Sequence, residues 1–260
     1  MKKIAIVTIV VALLMSLFCV YYFSGVKTKN STTWYKDKDT YQGAEDVYDY
    51  SNKIDKLDSI DIQEWNEFLC VPETELETMS TETLLLTTLD YPFLVDIYLF
   101  DSYREGYNKL KSANNVIGEL ISRRDMTEVL TDFYLNLDHN KIKETDENSV
   151  INMTFINLLY SDDDVIERLN ISQRKALIYK GYENLKQYYS EYSDYYALAP
   201  LESLVGKLLY VDNVRFRALV DRSESLKSLI EGESVGIDKV VHSSLFDQIG
   251  EIVENDYLRK

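Results

Sequence analysis

Val71-Pro72-Glu73-Thr74-Glu75-Leu76-Glu77-Thr78-Met79-Ser80-Thr81-Glu82-Thr83-Leu84-Leu85-Leu86-Thr87-Thr88-Leu89-Asp90-Tyr91-Pro92 is the stretch whose punctuation decides the fold. Pro72 suits a first helical turn, where its missing N–H would be unpaired anyway. Glu73, Glu75 and Glu77 follow, and acids there complement the positive end of the helix dipole. Ser80 reads as the N-cap of a second helix with Leu84, Leu85, Leu86 and Leu89 as its apolar content. Tyr91-Pro92 ends that helix, because a residue before proline is pushed out of the α region. Phe93 to Phe100 then predicts a third helix, apolar on nearly every side and therefore buried. Ser102 and Glu105 have capping-box spacing for a fourth, with Tyr103, Tyr107 and Leu110 on one face. Short helices joined by tight breaks predict a compact helical core.

Asp96 is the odd residue of this region. At helical spacing it shares a face with Pro92, Leu99, Phe100 and Tyr103, which predicts a partly buried carboxylate. Such a group serves either as an acid, base or ligand contact with a raised pKa, or as a structural acceptor. The structural reading expects it to bond a helix N-terminus, a tyrosine hydroxyl, Arg123 or Arg124, since buried polar groups are normally satisfied.

The string Met79-Ser80-Thr81, Leu85, Leu89, Tyr91-Pro92, Asp96-Ile97-Tyr98, Asp101-Ser102-Tyr103 and Gly106 resembles a group of uncharacterised bacterial proteins expected to be exported and largely helical. The likeness extends weakly through Asn115, Glu119-Leu120 and Arg123-Arg124-Asp125. The resemblance implies a helical fold and export. It carries no activity and no catalytic residues.

At the N-terminus, Met1-Lys2-Lys3 precedes an uncharged run from Ile4 to Phe23. That matches the roughly 20 residues a spanning helix needs, and exceeds the roughly 7–15 of a signal peptide's apolar region. Tyr21, Tyr22 and Phe23 sit where interfacial aromatics belong. No small-residue cleavage site follows, so residues 1–25 read as an uncleaved transmembrane anchor, with a cleaved signal and secretion as the alternative. Cys19 lacks the small neighbours of a lipoprotein site. Lys27, Lys29, Lys36 and Lys38 offset Lys2 and Lys3, so charge does not orient the segment. The very short N-terminus favours a single pass with the main domain outside the cytoplasm.

Residues 26–60 read as a polar spacer, and 61–260 as a helical domain opening with Ile62, Trp65 and Leu69 on one helical face. Further along, Met126 to Leu137 and Val150 to Tyr160 show helical apolar spacing. Asp138 to Asn148, which holds His139, predicts the longest loop. Ser161-Asp162-Asp163-Asp164 looks at first like a calcium loop, but lacks the central glycine and alternating carboxylates such a loop needs. Ser161 as N-cap with aspartates in the first turn explains it better. Ile178, Tyr182, Leu185, Tyr189, Tyr192 and Tyr196 step by four and three as one stripe. Tyrosines at such density form either a sugar- or peptide-binding face or an amphipathic core whose hydroxyls reach the domain's edge. Pro200 starts another helix, carrying Leu201, Leu204, Val205, Leu208 and Leu209. Gly232 to Gly236 marks a turn before a final helix with Leu245, Phe246, Ile249, Ile252 and Val253.

The chain carries 28 Lys and Arg against 44 Asp and Glu, a net charge of −16. So acidic a surface disfavours nucleic acid. Beyond the anchor Cys70 is the only cysteine, which excludes an intrachain disulfide there. No phosphate-binding glycine loop, nucleophile elbow or zinc motif occurs, and His139 and His242 stand far apart without recognisable context. No cofactor, metal or catalytic residue is therefore assigned.

The sequence predicts an all-α protein, an irregular bundle of short amphipathic helices, with stacked helix pairs left open, behind an N-terminal membrane segment. Its expected role is a membrane-anchored extracytoplasmic binding module for a protein or surface polymer, with Asp96, Tyr182, Tyr189, Tyr192 and Tyr196 as candidate ligand-binding residues. A carboxylate-dependent glycan hydrolase and a cytoplasm-facing scaffold are the alternatives.

Overall fold

A computed structural model describes residues 46–137, 147–191, 198–233 and 239–258. Every element among them is helical, as expected for an all-α chain. The α-helices are α1 Ser51–Ile54, α2 Trp65–Leu69, α3 Glu73–Leu76, α4 Thr81–Leu89, α5 Tyr103–Ala113, α6 Asn115–Ser122 and α7 Met126–Asn136. They continue as α8 Glu147–Tyr160, α9 Asp163–Ile166, α10 Ile171–Glu191, α11 Leu198–Asp212, α12 Val214–Val220, α13 Glu224–Ile230 and α14 Lys239–Asp256. Short 3-10 turns cover Leu57–Ser59, Ile62–Glu64 and Leu94–Leu99. No described helix is long and apolar enough to cross a membrane, and Ile4 to Phe23 lies outside the described residues.

Two helices form the centre. Along α11 every residue from Leu198 to Leu209 is buried, and α10, α8, α12, α13 and α14 pack around it. Helix α8 is buried at each position from Ile151 to Tyr160, and it also touches α5 and the Leu94–Leu99 turn. A helix apolar or buried all round belongs in a domain's middle. Their polar residues are accordingly bonded: Tyr134 Oη donates to Asn157 Oδ1 at 3.2 Å, and Ser203 Oγ to the Ile230 carbonyl at 2.6 Å.

The opening stretch folds much as its punctuation predicts. Ser80 Oγ accepts from the Thr83 N–H at 3.0 Å, Ser102 Oγ accepts from Glu105 N–H at 3.0 Å, and α4 ends before Tyr91-Pro92. Arg123 donates to the Leu76 carbonyl at 2.8 Å, and Thr81 Oγ1 donates to Asp125 at 2.5 Å. Asn115 pairs with both backbone groups of Val71, at 3.1 and 2.7 Å. These bonds stitch the two ends of the stretch together.

Four details differ from the sequence reading. Packing begins before Asp61: Tyr50 and Leu57 are buried, and the Tyr48 N–H donates to Thr87 Oγ1 at 3.2 Å. A few aromatics dock a segment whose composition is otherwise polar. Ile62 faces outward, because its 3-10 turn breaks the register with Trp65 and Leu69. The apolar run after Pro92 is a 3-10 turn rather than an α-helix; Leu94 and Ile97, three apart, point inward while Tyr98 and Leu99 are exposed. Asp162 rather than Ser161 caps α9, accepting from the Asp164 N–H at 2.9 Å. The buried Ser161 hydroxyl instead donates to the Leu158 carbonyl at 3.0 Å.

Gly232 closes α13 with a positive φ of 70°. The Glu233 N–H bonds the Ser228 carbonyl and the Gly232 N–H bonds that of Leu229, both near 3 Å, which is the Schellman arrangement. Gly106 is needed for a different reason: a Cβ there would stand 2.3 Å from the Ile97 carbonyl oxygen, so α5 lies directly on the backbone of the Leu94–Leu99 turn. Gly106→Ala is expected to destabilise the protein by about 1–2 kcal/mol, since backbone cannot rotate aside as a side chain can. Chemical denaturation of the variant checks this, and an unchanged midpoint would contradict the close approach.

Candidate functional site

The tyrosine stripe is the first candidate. On α10, Tyr182 is buried and its hydroxyl donates to Glu254 of α14 at 2.9 Å. Burial and that carboxylate push its ionisation up to about 12. Tyr189 donates to Glu202 of α11 at 2.6 Å, and its ring stacks on Phe246 at 4.1 Å. Ile178 and Leu185 are buried on the same face. Tyr192 and Tyr196 lie outside the described residues. The described part of the stripe is thus turned inward against α11 and α14, with its hydroxyls committed to acids of those helices.

Tyr189 also leads to a constellation that its sequence neighbours do not announce. Glu202 is fully buried, 0 % exposed, and His242 is 3 % exposed. Glu202 Oε1 accepts from Tyr189 while Oε2 hydrogen-bonds His242 Nδ1. Burial raises the Glu202 pKa; the bonds from His242 and Tyr189 act the other way. The three residues come from α10, α11 and α14 and tie those helices at one internal point. Glu202 and His242 are 40 residues apart, and no local motif marks either.

The acidic run at Ser161 is neutralised by lysines. Asp162 and Asp164 both meet Lys111, at 2.9 and 2.7 Å, and Asp163 meets Lys207 at 2.8 Å. Lys207 also pairs with Glu231 at 2.9 Å. Among the described residues no group of acids, histidines and cysteines is arranged to hold a metal ion. His139 lies outside the described residues.

Asp96 behaves differently from all of these. It is half-buried in the Leu94–Leu99 turn, and among the described residues no donor reaches its carboxylate. Arg123, one of its expected partners, is taken by Glu119 at 2.8 Å and by Leu76. Burial without compensation pushes the Asp96 carboxyl up to about 6. Tyr91, five residues earlier, has its ionisation opposed first by burial and then by the charge of Asp96. Tyr50 lies behind Tyr91, its ring 5.8 Å away, and is raised in turn by burial and by Tyr91. Tyr50 and Tyr91 are each 4 % exposed, and both hydroxyls lack a hydrogen-bond partner. An unpaired buried hydroxyl costs about 1–3 kcal/mol, so these two unmatched hydroxyls are not neutral for stability.

Comparison with protein-family models, curated proteins and solved structures returns no match.

The aromatic residues around Tyr50 and Tyr91 pack into one largely buried string. Tyr48 contacts Tyr50 at 4.9 Å, Tyr91 contacts Phe93 at 5.9 Å, and Trp65 stacks on Phe93 at 5.6 Å and 9°. Trp65 is itself fixed by its indole N–H donating to the Ile60 carbonyl at 3.1 Å. A carboxylate beside phenols and aromatic faces orients a polar ligand while the rings bury its apolar part. A concavity of about 500 Å³ along the outer side of α14 is lined by Val240, Ser243, Ser244, Asp247 and Gln248. Asp247 is the one acid among those residues, so that groove presents no carboxylate pair.

Proposed function

We propose that this chain is a helical binding module, held at a membrane by Ile4 to Phe23 and facing out of the cytoplasm, with Asp96, Tyr91 and Tyr50 as its ligand site. The observation that carries the reading is the pair of buried hydroxyls of Tyr50 and Tyr91, in ring contact and without a partner among the described residues, with the half-buried Asp96 five residues on, whereas the buried acids Glu202 and Asp162 are bonded. Binding groups left unmatched within the protein are those free to match a ligand. The uncharged N-terminal run supports the anchor.

Two measurements test this. Protease added to intact cells is expected to remove residues beyond the anchor while cytoplasmic markers survive; protection of the domain would favour the cytoplasm-facing scaffold instead. A mixed library of sugars, amines, carboxylates and short peptides, titrated into the full chain in neutral detergent, is expected to yield binders that lose affinity in Tyr91→Phe. A library with no Tyr91-dependent binder would end the site assignment.

Glycan hydrolysis is the second reading, favoured by a carboxyl near 6, which suits a general acid at neutral pH. It requires a second carboxylate about 5–10 Å from Asp96 across a bound sugar. Turnover of a polysaccharide that disappears in Asp96→Asn would establish it over simple binding.

A further inference from the structure

We propose that the end of the helical domain where α10, α11, α12 and α14 meet docks on a bilayer surface carrying anionic lipid. The inference rests on the reading of Ile4 to Phe23 as a membrane anchor, and not on the Asp96 site.

Hydrogen bonds bring the four helices together at this end. Asp212, the last residue of α11, accepts from Arg174 of α10 at 3.4 Å and from Tyr257, just past α14, at 2.9 Å. Asn213, which caps α12, donates to Asp256 at 2.8 Å. Arg215 of α12 pairs with Glu251 at 3.0 Å and with Asp256 at 3.4 Å. Ile171, Val211, Val214 and Leu258 each stand within three residues of a member of this network, and they are 42–76 % exposed. An exposed aliphatic residue on its own needs no explanation. Four at one junction of helices form a patch, and apolar patches rimmed by polar groups mark contact surfaces.

Charge selects what covers it. The chain carries a net −16, yet the acids of this end are committed inside it. Asp212 and Asp256 hold the network, Glu251 meets Arg215, and Asp221 accepts from the Tyr210 hydroxyl at 2.9 Å. The cations are not all matched. Arg217 donates to the Tyr210 and Val211 carbonyls at 2.9 and 2.8 Å, which places its charge beside Val211 with no carboxylate bonded to it. Lys175 and Arg222 are exposed, and among the described residues no carboxylate pairs with them. The free charge of this face is therefore positive. Aliphatic tips that enter the headgroup layer, with lysine and arginine reaching lipid phosphates and tyrosines at their level, make an interfacial surface. A nucleic acid would meet the cations but leave the aliphatic tips in water.

The tether permits the contact. Residues 24–45 span at most about 75 Å when extended. A domain of this size is about 45 Å wide. Any face can thus reach the bilayer, and surface composition decides which one does.

The test is lipid quenching of the full chain, reconstituted into vesicles of phosphatidylcholine and phosphatidylglycerol at three to one, with and without bromine on the acyl chains. Val214→Trp reports from the patch. Val240→Trp reports from the other end of α14, about 24 Å along the helix from Asp256. After subtraction of the emission of Trp34 and Trp65, Val214→Trp is expected to lose at least half its fluorescence to brominated lipid, and Val240→Trp less than a tenth. Adding Lys175→Glu and Arg222→Glu to the Val214→Trp protein is expected to reduce that quenching at least twofold, and so is phosphatidylcholine alone. All the substituted positions are exposed, so the fold is preserved. An alkaline carbonate wash reads the anchor separately. Retention through the wash with Val214→Trp unquenched, or quenched no more than Val240→Trp, overturns the proposal and leaves the anchor standing. Release by the wash ends the anchor reading, while quenching before the wash would still establish the face as a lipid-binding surface. Quenching that ignores both the glutamates and the lipid charge overturns the anionic assignment. Emission that shifts with the protein-to-lipid ratio but ignores bromine would mean that two copies of the chain meet at this face, and would also overturn the proposal.

Discussion

Glu202→Ala is expected to destabilise the protein by about 3–5 kcal/mol, the largest effect of any single substitution argued for this chain. Glu202 is fully buried, accepts from Tyr189 and hydrogen-bonds His242. Truncation removes the partner of the buried His242 and the half-buried Tyr189 at once and opens a gap between α10, α11 and α14. The His242 ring then faces that gap with its Nδ1 unmatched, so the loss includes the desolvation of the stranded partner as well as the bond. Glu202→Gln separates charge from shape. It keeps an oxygen for Tyr189 and most of the volume, and is expected to cost about 1–2 kcal/mol, near the net worth of one charged bond. Urea denaturation of the three proteins, with Glu202→Ala/His242→Ala completing a double-mutant cycle, checks the assignment. Additive losses in that cycle would show that the two residues are merely neighbours.

The two polar clusters explain how far this fold could be read from residues alone. Local signals worked where the physics is local. Ser80 and Ser102 cap helices because their side chains reach an N–H three residues away, a relation visible in the string itself. Periodicity likewise placed Ile178, Tyr182 and Leu185 on one buried face of α10. The Glu202–His242 pair was invisible, because its partners are joined by packing across helices rather than by spacing. The 3-10 turn after Pro92 was misjudged for a related reason. Apolar density marks burial, whereas the choice between 3-10 and α depends here on where Gly106 of α5 lies against Ile97. Ser161 lost the cap to Asp162 because Arg104 of α5 donates to its hydroxyl at 2.7 Å, again a long-range contact.

For Asp96 the residues indicated partial burial and left two consequences open, a ligand contact or a structural acceptor. A buried carboxylate is normally satisfied, and Arg123 stood ready in sequence as a partner. In the fold Arg123 turns to Glu119 and Leu76, and the Tyr91 and Tyr50 hydroxyls have no partner among the described residues. Sequence reasoning counts available donors, while satisfaction depends on direction. The consequence is a site that works against the stability of the domain around it. The Glu202 cluster is closed on itself and holds three helices together. The Asp96 cluster contributes no internal bond, and its cost is offset only when something else supplies the donors.

That cost predicts an unusual substitution. Asp96→Asn is expected to stabilise the unliganded protein at pH 7.5, by up to about 3 kcal/mol if the whole rise from the ordinary 3.8 to about 6 is realised, and by about 1–2 kcal/mol given the water still reaching the group. The sign follows from the proton count. Below pH 4 both folded and unfolded chains hold the Asp96 proton, and the residue has no charge to desolvate. Between pH 4 and 6 the unfolded chain releases the proton while the folded chain keeps it, so this contribution to stability falls as pH rises. Above pH 6 folding must bury the carboxylate charged, and the penalty stays constant. The amide that Asp96→Asn puts in its place carries no charge at any pH, so the gap between variant and parent should be near zero at pH 3.5 and widest above pH 6. Urea midpoints at pH 3.5, 5, 6 and 7.5 measure it. A variant less stable than its parent at pH 7.5 would mean that Asp96 has a compensating partner in the folded state. A gap that does not change with pH would mean that charge burial is not its cause. A substitution that strengthens the fold would show that Asp96 is not kept there as a structural acceptor, because replacing a structural carboxylate weakens the fold.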